Sequence, residues 1–80
     1  MDMITPNWQP LERLHTTHAY LFEMNDFMWM QRHDAIECYK HRMTRSYLNI
    51  DNNGLFWLYR NGEYRETSKN GALKVLFRLD

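Results

Sequence analysis

Two pairs of residues in the first half of the chain have the spacing of metal ligands. His15 and His18 are separated by two residues, and Cys38 and His41 repeat that spacing. On a helix, side chains three positions apart share a face, so each pair could hold one side of a zinc ion. Structural zinc sites favour two or more thiolates, and the chain has a single cysteine. The sequence therefore favours no bound metal, and a small zinc-binding domain is the last of three functional hypotheses.

The same cysteine raises the question of nucleophilic catalysis. On a helix, Cys38 would lie one turn after Asp34 and one turn before His41, which could act as its base. A thiol in the middle of a helix lacks the helix N-terminus that activates many reactive cysteines, and free cysteines are usually buried. No phosphate-binding loop or known catalytic motif occurs. The sequence predicts a non-enzymatic protein without a cofactor.

Length and composition predict one small globular domain covering 1–80. Of the 80 residues, 44% are hydrophobic and 15% aromatic, which is enough apolar surface for a single core. One cysteine and the lack of a secretory pattern at the start predict a reducing, cytoplasmic location. The longest uncharged apolar stretch, GLFWLY, is too short to cross a bilayer.

The charges are distributed unevenly although the net charge is zero. The first 39 residues contain two basic and six acidic residues, whereas the remainder contains eight basic and four acidic ones. Two layers of opposite charge that attract each other within the domain explain this pattern most simply. The alternative is an acidic partner for the basic half, which contains the run KHRMTR.

The first half contains no glycine, and its apolar residues recur at helical intervals. The spacing predicts one helix over about 9–24, with Pro10 in its first turn, and a second over about 27–44. Asp26 is a suitable cap for the second helix, and Trp29 and Ile36 share one stripe of it. The segment FMWMQR is the weak point, because it could also form a strand.

The second half contains three Asn-Gly pairs, which begin at positions 53, 61 and 70. Asn-Gly tolerates the positive φ of tight hairpin turns, so SYLNI, LFWLYR and EYRETS are predicted to form a three-stranded meander. The segment ALKVLFRL favours a helix over a fourth strand. The predicted fold is α+β: an N-terminal helical hairpin packed on a three-stranded antiparallel meander with a short C-terminal helix (or fourth strand).

The hairpin register divides the meander into two faces. If Asp51 to Gly54 closes the first turn, the core face carries Leu48, Ile50, Leu55, Trp57, Tyr59 and Tyr64. The other face is aromatic and basic, unless a helix covers it. On the second predicted helix, four consecutive apolar residues cannot all face the core. The predicted partner-binding residues on these two surfaces are Tyr47, Phe56, Leu58, Arg60, Arg65, Phe27, Met28, Trp29 and Met30.

These surfaces favour a protein-binding module that inhibits or bridges a larger protein or protein complex. Its size is typical of phage or mobile-element accessory proteins. The alternative is a nucleic-acid-binding protein that stacks bases on the sheet, although zero net charge argues against it. Self-association through the apolar surfaces is also open.

Overall fold

The computed structural model describes residues 5–78 and has two layers, a five-stranded antiparallel sheet and two helices. Among these residues, neither helix is long and apolar enough to cross a bilayer. The strands lie in the sheet in chain order, and the α+β class is confirmed. In chain order the elements are α1 (Gln9–His18), a 3₁₀ turn (Met24–Asp26), β1 (Phe27–His33), β2 (Ile36–His41), β3 (Tyr47–Asp51), β4 (Phe56–Arg60), β5 (Glu63–Thr67) and α2 (Lys69–Phe77).

The hydrophobic core lies between the helices and one face of the sheet, which we call the helix-covered face. Both helices contribute side chains to a single cluster with the strands. Burial of this apolar surface is the main stabilising contribution to the fold. Its buried members are Leu11, Leu14, Phe22, Phe27, Tyr39, Leu48, Ile50, Phe56, Ala72, Leu73 and Leu76.

The first predicted helix is present but shorter than expected. It begins at Gln9 with a proline in its first turn, as predicted, and ends at His18. A 3₁₀ turn follows, in which the Glu23 side chain and the Asp26 carboxylate form a capping box. Asp26 is therefore a cap, but of this short turn and not of a second helix.

The second predicted helix is wrong, because residues 27–41 form the β1–β2 hairpin. A two-residue turn joins the strands, with Asp34 at a φ of 54°. Asp is one of the few residues other than glycine that adopts this left-handed conformation readily. A bulge between Trp29 and Gln31 also interrupts the pairing. The helical hairpin does not exist, and the weak segment FMWMQR is a strand.

The three predicted strands of the second half are confirmed as β3, β4 and β5, but the sheet has five strands and not three because β1 and β2 extend it. In the second turn, Arg60 pairs with Glu63, and Asn61 and Gly62 both have positive φ, as expected for Asn-Gly. In the first turn, however, Ile50 pairs with Phe56, so the loop is one residue longer than the predicted register requires.

That single residue reverses the predicted faces of β4 and β5. Phe56 lies with Ile50 on the helix-covered face, whereas Trp57, Tyr59 and Tyr64 lie on the opposite face. The placement of these three rings in the core was therefore wrong. A helical layer does cover the Phe56 side of the sheet, but the domain has two layers and not the three that this alternative implied.

The third Asn-Gly pair lies inside α2, so the predicted C-terminal helix is confirmed and the fourth-strand alternative is not. The Ser68 side chain accepts a hydrogen bond from the Gly71 backbone N–H at 2.9 Å and caps the helix. A side chain at Gly71 would meet Thr67 Oγ1 at 2.6 Å. This glycine therefore serves the close approach of β5 to α2 and not a turn.

A buried carboxylate joins the N-terminal segment to the sheet. Glu37 has 0% exposure, and its two oxygens accept hydrogen bonds from Trp29 Nε1 at 2.7 Å and Arg32 Nε at 2.6 Å. The same arginine donates to the Thr5 carbonyl at 2.9 Å. The charge on Glu37 is thus compensated inside the fold, which makes its burial tolerable.

Candidate binding groove on the open face

The face of the sheet opposite the core, which we call the open face, carries a groove of about 1070 Å³. Side chains alternate between the two faces along each strand, so the strand register assigns the residues of this face. They are Met28, Gln31, His33, Ile36, Cys38, Lys40, Tyr47, Asn49, Asp51, Trp57, Tyr59, Tyr64 and Glu66.

Aromatic rings dominate the groove. Tyr59 and Tyr64 are neighbours on β4 and β5 with ring centroids 4.8 Å apart, and Tyr64 stacks on His33 of β1, also at 4.8 Å. The sheet is therefore coiled enough for its two edge strands to bring side chains together. Tyr59 is 57% exposed and Tyr47 41% exposed, although both are large rings. Exposed rings in a groove can stack on a ligand.

A carboxylate forms part of the groove at the end of β3. Asp51 Oδ2 accepts a hydrogen bond from Trp57 Nε1 at 3.0 Å, and Oδ1 accepts from the Asn53 and Leu55 backbone N–H groups at 2.8 and 2.9 Å. Burial alone would raise the pKa of this carboxyl, but the hydrogen bonds outweigh it and the pKa is lowered. Asp51 is thus a fixed negative charge that also positions the Trp57 indole.

Cys38 is buried on the open face, with its Sγ 3.4 Å from the Tyr64 hydroxyl. Burial raises the pKa of the thiol, and burial followed by the Cys38 contact raises the pKa of Tyr64 to about 12. The thiol is therefore protonated at neutral pH. In a strand, residues three apart point to opposite faces, so His41 lies on the helix-covered face. Cys38 and His41 therefore do not form the pair of nucleophile and base that the sequence suggested.

The histidines of the two predicted metal-ligand pairs have other contacts in the structure. His15 is half-buried beside Phe22, and His18 contacts the Thr17 hydroxyl through Nδ1 at 2.7 Å. His41 Nδ1 accepts hydrogen bonds from two backbone N–H groups of the following turn, each at 3.2 Å. Within residues 5–78, no three His, Cys, Asp or Glu side chains are grouped as metal ligands. The prediction that no metal binds stays a prediction.

The predicted partner-binding residues do not form one surface. Phe27 and Phe56 are buried core residues, so their prediction as surface contacts was wrong. Trp29 and Arg65 lie on the helix-covered side of their strands, Trp29 half-buried and Arg65 exposed. Met28 is half-buried on the open face, and Met30 is 42% exposed at the bulge. Tyr47 lies on the open face, and Leu58 and Arg60 also line the groove although the alternation along β4 places their side chains on the Phe56 side.

Acidic side chains outnumber basic ones in the lining of the groove. Asp34, Asp51 and Glu63 line it, with Arg60 as the basic residue among them. Glu63 forms an ion pair with Arg65 at 2.6 Å. The Lys40 ammonium lies over the Tyr47 ring, 5.8 Å from the ring centroid. The groove therefore does not form the positive track that a phosphate backbone requires.

Sequence reasoning missed the contributions of His33, Asp51, Trp57, Tyr59 and Tyr64 to this groove. The signal was present in the DNNG segment, because a three-residue hairpin loop commonly ends with glycine in the left-handed conformation. Gly54 has a φ of 84°, and its N–H donates to the Asp51 carbonyl at 3.0 Å. This loop, in place of a two-residue turn, assigns the aromatic residues to the open face.

Comparisons with protein-family models, curated protein sequences and solved structures found no match for this chain.

Proposed function

We propose that this chain is a non-enzymatic binding module whose open-face groove holds an extended segment of a larger protein. One observation carries the proposal: the groove brings together the rings of His33, Tyr47, Trp57, Tyr59 and Tyr64. Tyrosine and tryptophan supply much of the binding energy of protein interfaces, because they offer a large contact area at low entropic cost. By binding such a segment, the chain would block the segment from its other partners, as an inhibitor does.

The chemistry of the groove supports polypeptide over nucleic acid. Its acidic side chains would repel phosphates, and the carboxylate of Asp51 stays ionised because its pKa is lowered. The non-enzymatic assignment rests on Cys38, whose thiol is buried with a raised pKa and lies on the opposite face from His41. A buried neutral thiol is a poor nucleophile.

Selection of random peptides displayed on phage tests the proposal. Peptides retained by the wild-type chain should lose at least about tenfold in affinity for Tyr59→Ala, as expected when an interface anchor is removed. The matched control is Tyr20→Ala, since Tyr20 is 80% exposed and is not among the groove residues. Loss of binding in both variants, or in neither, would contradict the proposal, as would a failure to select any peptide.

A further inference from the structure

The floor of the groove contains an unpaired hydrogen-bond acceptor. Asn49 is 3% exposed, and its Nδ2 donates to the Trp57 carbonyl at 3.1 Å. A carbonyl can only accept, so this bond determines which end of the amide is nitrogen and which is oxygen. Within the described residues, Asn49 Oδ1 is buried and has no partner. Leaving a buried acceptor unpaired is unfavourable, so a ligand that donates a hydrogen there would gain affinity.

The surroundings of this oxygen favour a positively charged donor. Asn49 and Trp57 are cross-strand partners, and the Trp57 indole is bonded to the ionised Asp51. The rings of Tyr59 and Tyr64 lie further along the same face, and the negative π-faces of Trp and Tyr attract cations. An acceptor, a carboxylate and three rings are the partners that a guanidinium group uses, because it is planar, carries five N–H donors and stacks on aromatic faces.

We propose that the groove binds an arginine side chain projecting from the extended segment of the partner protein, with the guanidinium donating to Asn49 Oδ1. The proposal rests on the proposed function and names the residue that the groove selects. The guanidinium lies on the rings of Trp57 and Tyr59, and Asp51 supplies the compensating charge.

Tyr64 is the side chain that moves to admit the arginine. Its hydroxyl contacts Sγ of Cys38, the cross-strand neighbour of Asn49, at 3.4 Å. A thiol is a weak hydrogen-bonding group, and the His33 ring on which Tyr64 stacks is itself exposed. The edge contact with Tyr59, at 4.8 Å between ring centroids, also holds Tyr64, but the Tyr59 ring is itself more than half exposed. Tyr64 can therefore rotate and then cover the bound guanidinium.

An NMR titration tests the arginine site directly. The probes are N-acetyl-arginine methylamide and its citrulline counterpart, which has nearly the same shape but no charge, at matched ionic strength. The arginine probe should cause saturable shifts of the Trp57 indole N–H and the Asn49 side-chain amide, and citrulline should bind at least about tenfold more weakly. The Asn49→Leu variant should lose the arginine response.

Because Asn49→Leu could impair folding, Tyr59→Ala is the second variant. It should show a weakened response to the arginine probe, whereas the response of Tyr20→Ala should be unchanged. Equal binding of citrulline, shifts located outside the groove, or no saturable shift up to ~50 mM would overturn the arginine site. If phage selection still yields groove-binding peptides without arginine, the proposed function stands and the arginine site fails. If it yields none, the proposed function fails as well.

Discussion

The two faces of the sheet are built from the same five strands, and one buried polar side chain on each face shows a difference in hydrogen bonding. On the helix-covered face, the buried carboxylate of Glu37 has partners for both oxygens. On the open face, Asn49 Oδ1 has none within residues 5–78, although this side chain is buried to a similar degree. Fully paired polar groups stabilise a core, whereas an unpaired buried acceptor is unfavourable until it receives a donor. Side chains that build the core and side chains of the open face therefore alternate along each strand.

The largest effect should come from the helix-covered face. Phe56→Ala removes a buried ring from the core and should lower the free energy of unfolding by about 3–5 kcal/mol. A chain of this size has a total stability of about 4–12 kcal/mol, so the variant should lose a large share of it. Urea denaturation followed by tryptophan fluorescence measures the change. A loss below about 1 kcal/mol would mean that Phe56 is not in the core and that the two faces are assigned incorrectly.

A smaller effect is expected at Asp51, where the open face contributes to stability. Asp51→Asn keeps one acceptor oxygen but loses the bond from Trp57 Nε1, and should cost about 1.5–3 kcal/mol at neutral pH. The pKa of Asp51 is lowered in the folded state, so its contribution is present above the unfolded pKa of about 3.9 and is lost as the pH falls through the lower folded value.

Urea denaturation between neutral pH and about pH 2 measures this dependence. The wild-type chain should lose stability more steeply below about pH 4 than Asp51→Asn. The control is Asp34→Asn, because Asp34 is exposed and asparagine tolerates its positive φ. If the free energy of unfolding falls equally steeply with pH in wild type and in Asp51→Asn, then Asp51 does not carry a hydrogen-bonded charge.

The turns that set the register should show an intermediate effect. Gly62→Ala and Gly54→Ala place a side chain at φ values of 82° and 84°, where nothing lies within 4 Å of the added Cβ. Backbone strain alone should therefore cost about 1–2 kcal/mol in each case. Thermal denaturation compares them with Lys74→Ala on the exposed surface of α2, which should change stability by less than about 0.5 kcal/mol. Loss of stability at only one glycine would show that the two turns constrain the sheet unequally.

The smallest effect on stability should come from the open face at Tyr59. Tyr59→Ala removes a ring that is more than half exposed and makes an edge contact with Tyr64, so it should change the free energy of unfolding by less than about 1 kcal/mol. Affinity for a selected peptide should nevertheless fall by about 1–2 kcal/mol, measured by calorimetry. A variant that melts like Phe56→Ala would show that both faces are core.

Much of the fold could be predicted because local signals agreed with the final structure. Asn61 and Gly62 specify a tight turn whatever surrounds them, so the pairing of Arg60 with Glu63 followed from the sequence. Pro10 and the apolar stripe of α1 likewise marked a helix without help from tertiary contacts. Local physics was sufficient in these places.

The β1–β2 hairpin could not be predicted in this way. Its turn contains Asp34 and Ala35 in place of glycine, and the bulge after Trp29 breaks the alternation that identifies a strand. The candidate groove was missed for a related reason, because one loop residue at 51–55 decides which face Tyr59 occupies. Strand register depends on pairing across the sheet, and local sequence patterns do not specify that pairing.

The strand order of the sheet, which is the same as the order in the chain, also affects how the protein folds during synthesis. Each strand pairs with the one made just before it, so the loops that must close are short and their entropic cost is low. The exception is α1, which is made before the sheet but packs on β3. At a synthesis rate of roughly 5–20 residues per second, several seconds pass between the synthesis of Leu11 and Leu14 and that of β3. During that interval their apolar surface is available to a chaperone or to another nascent chain.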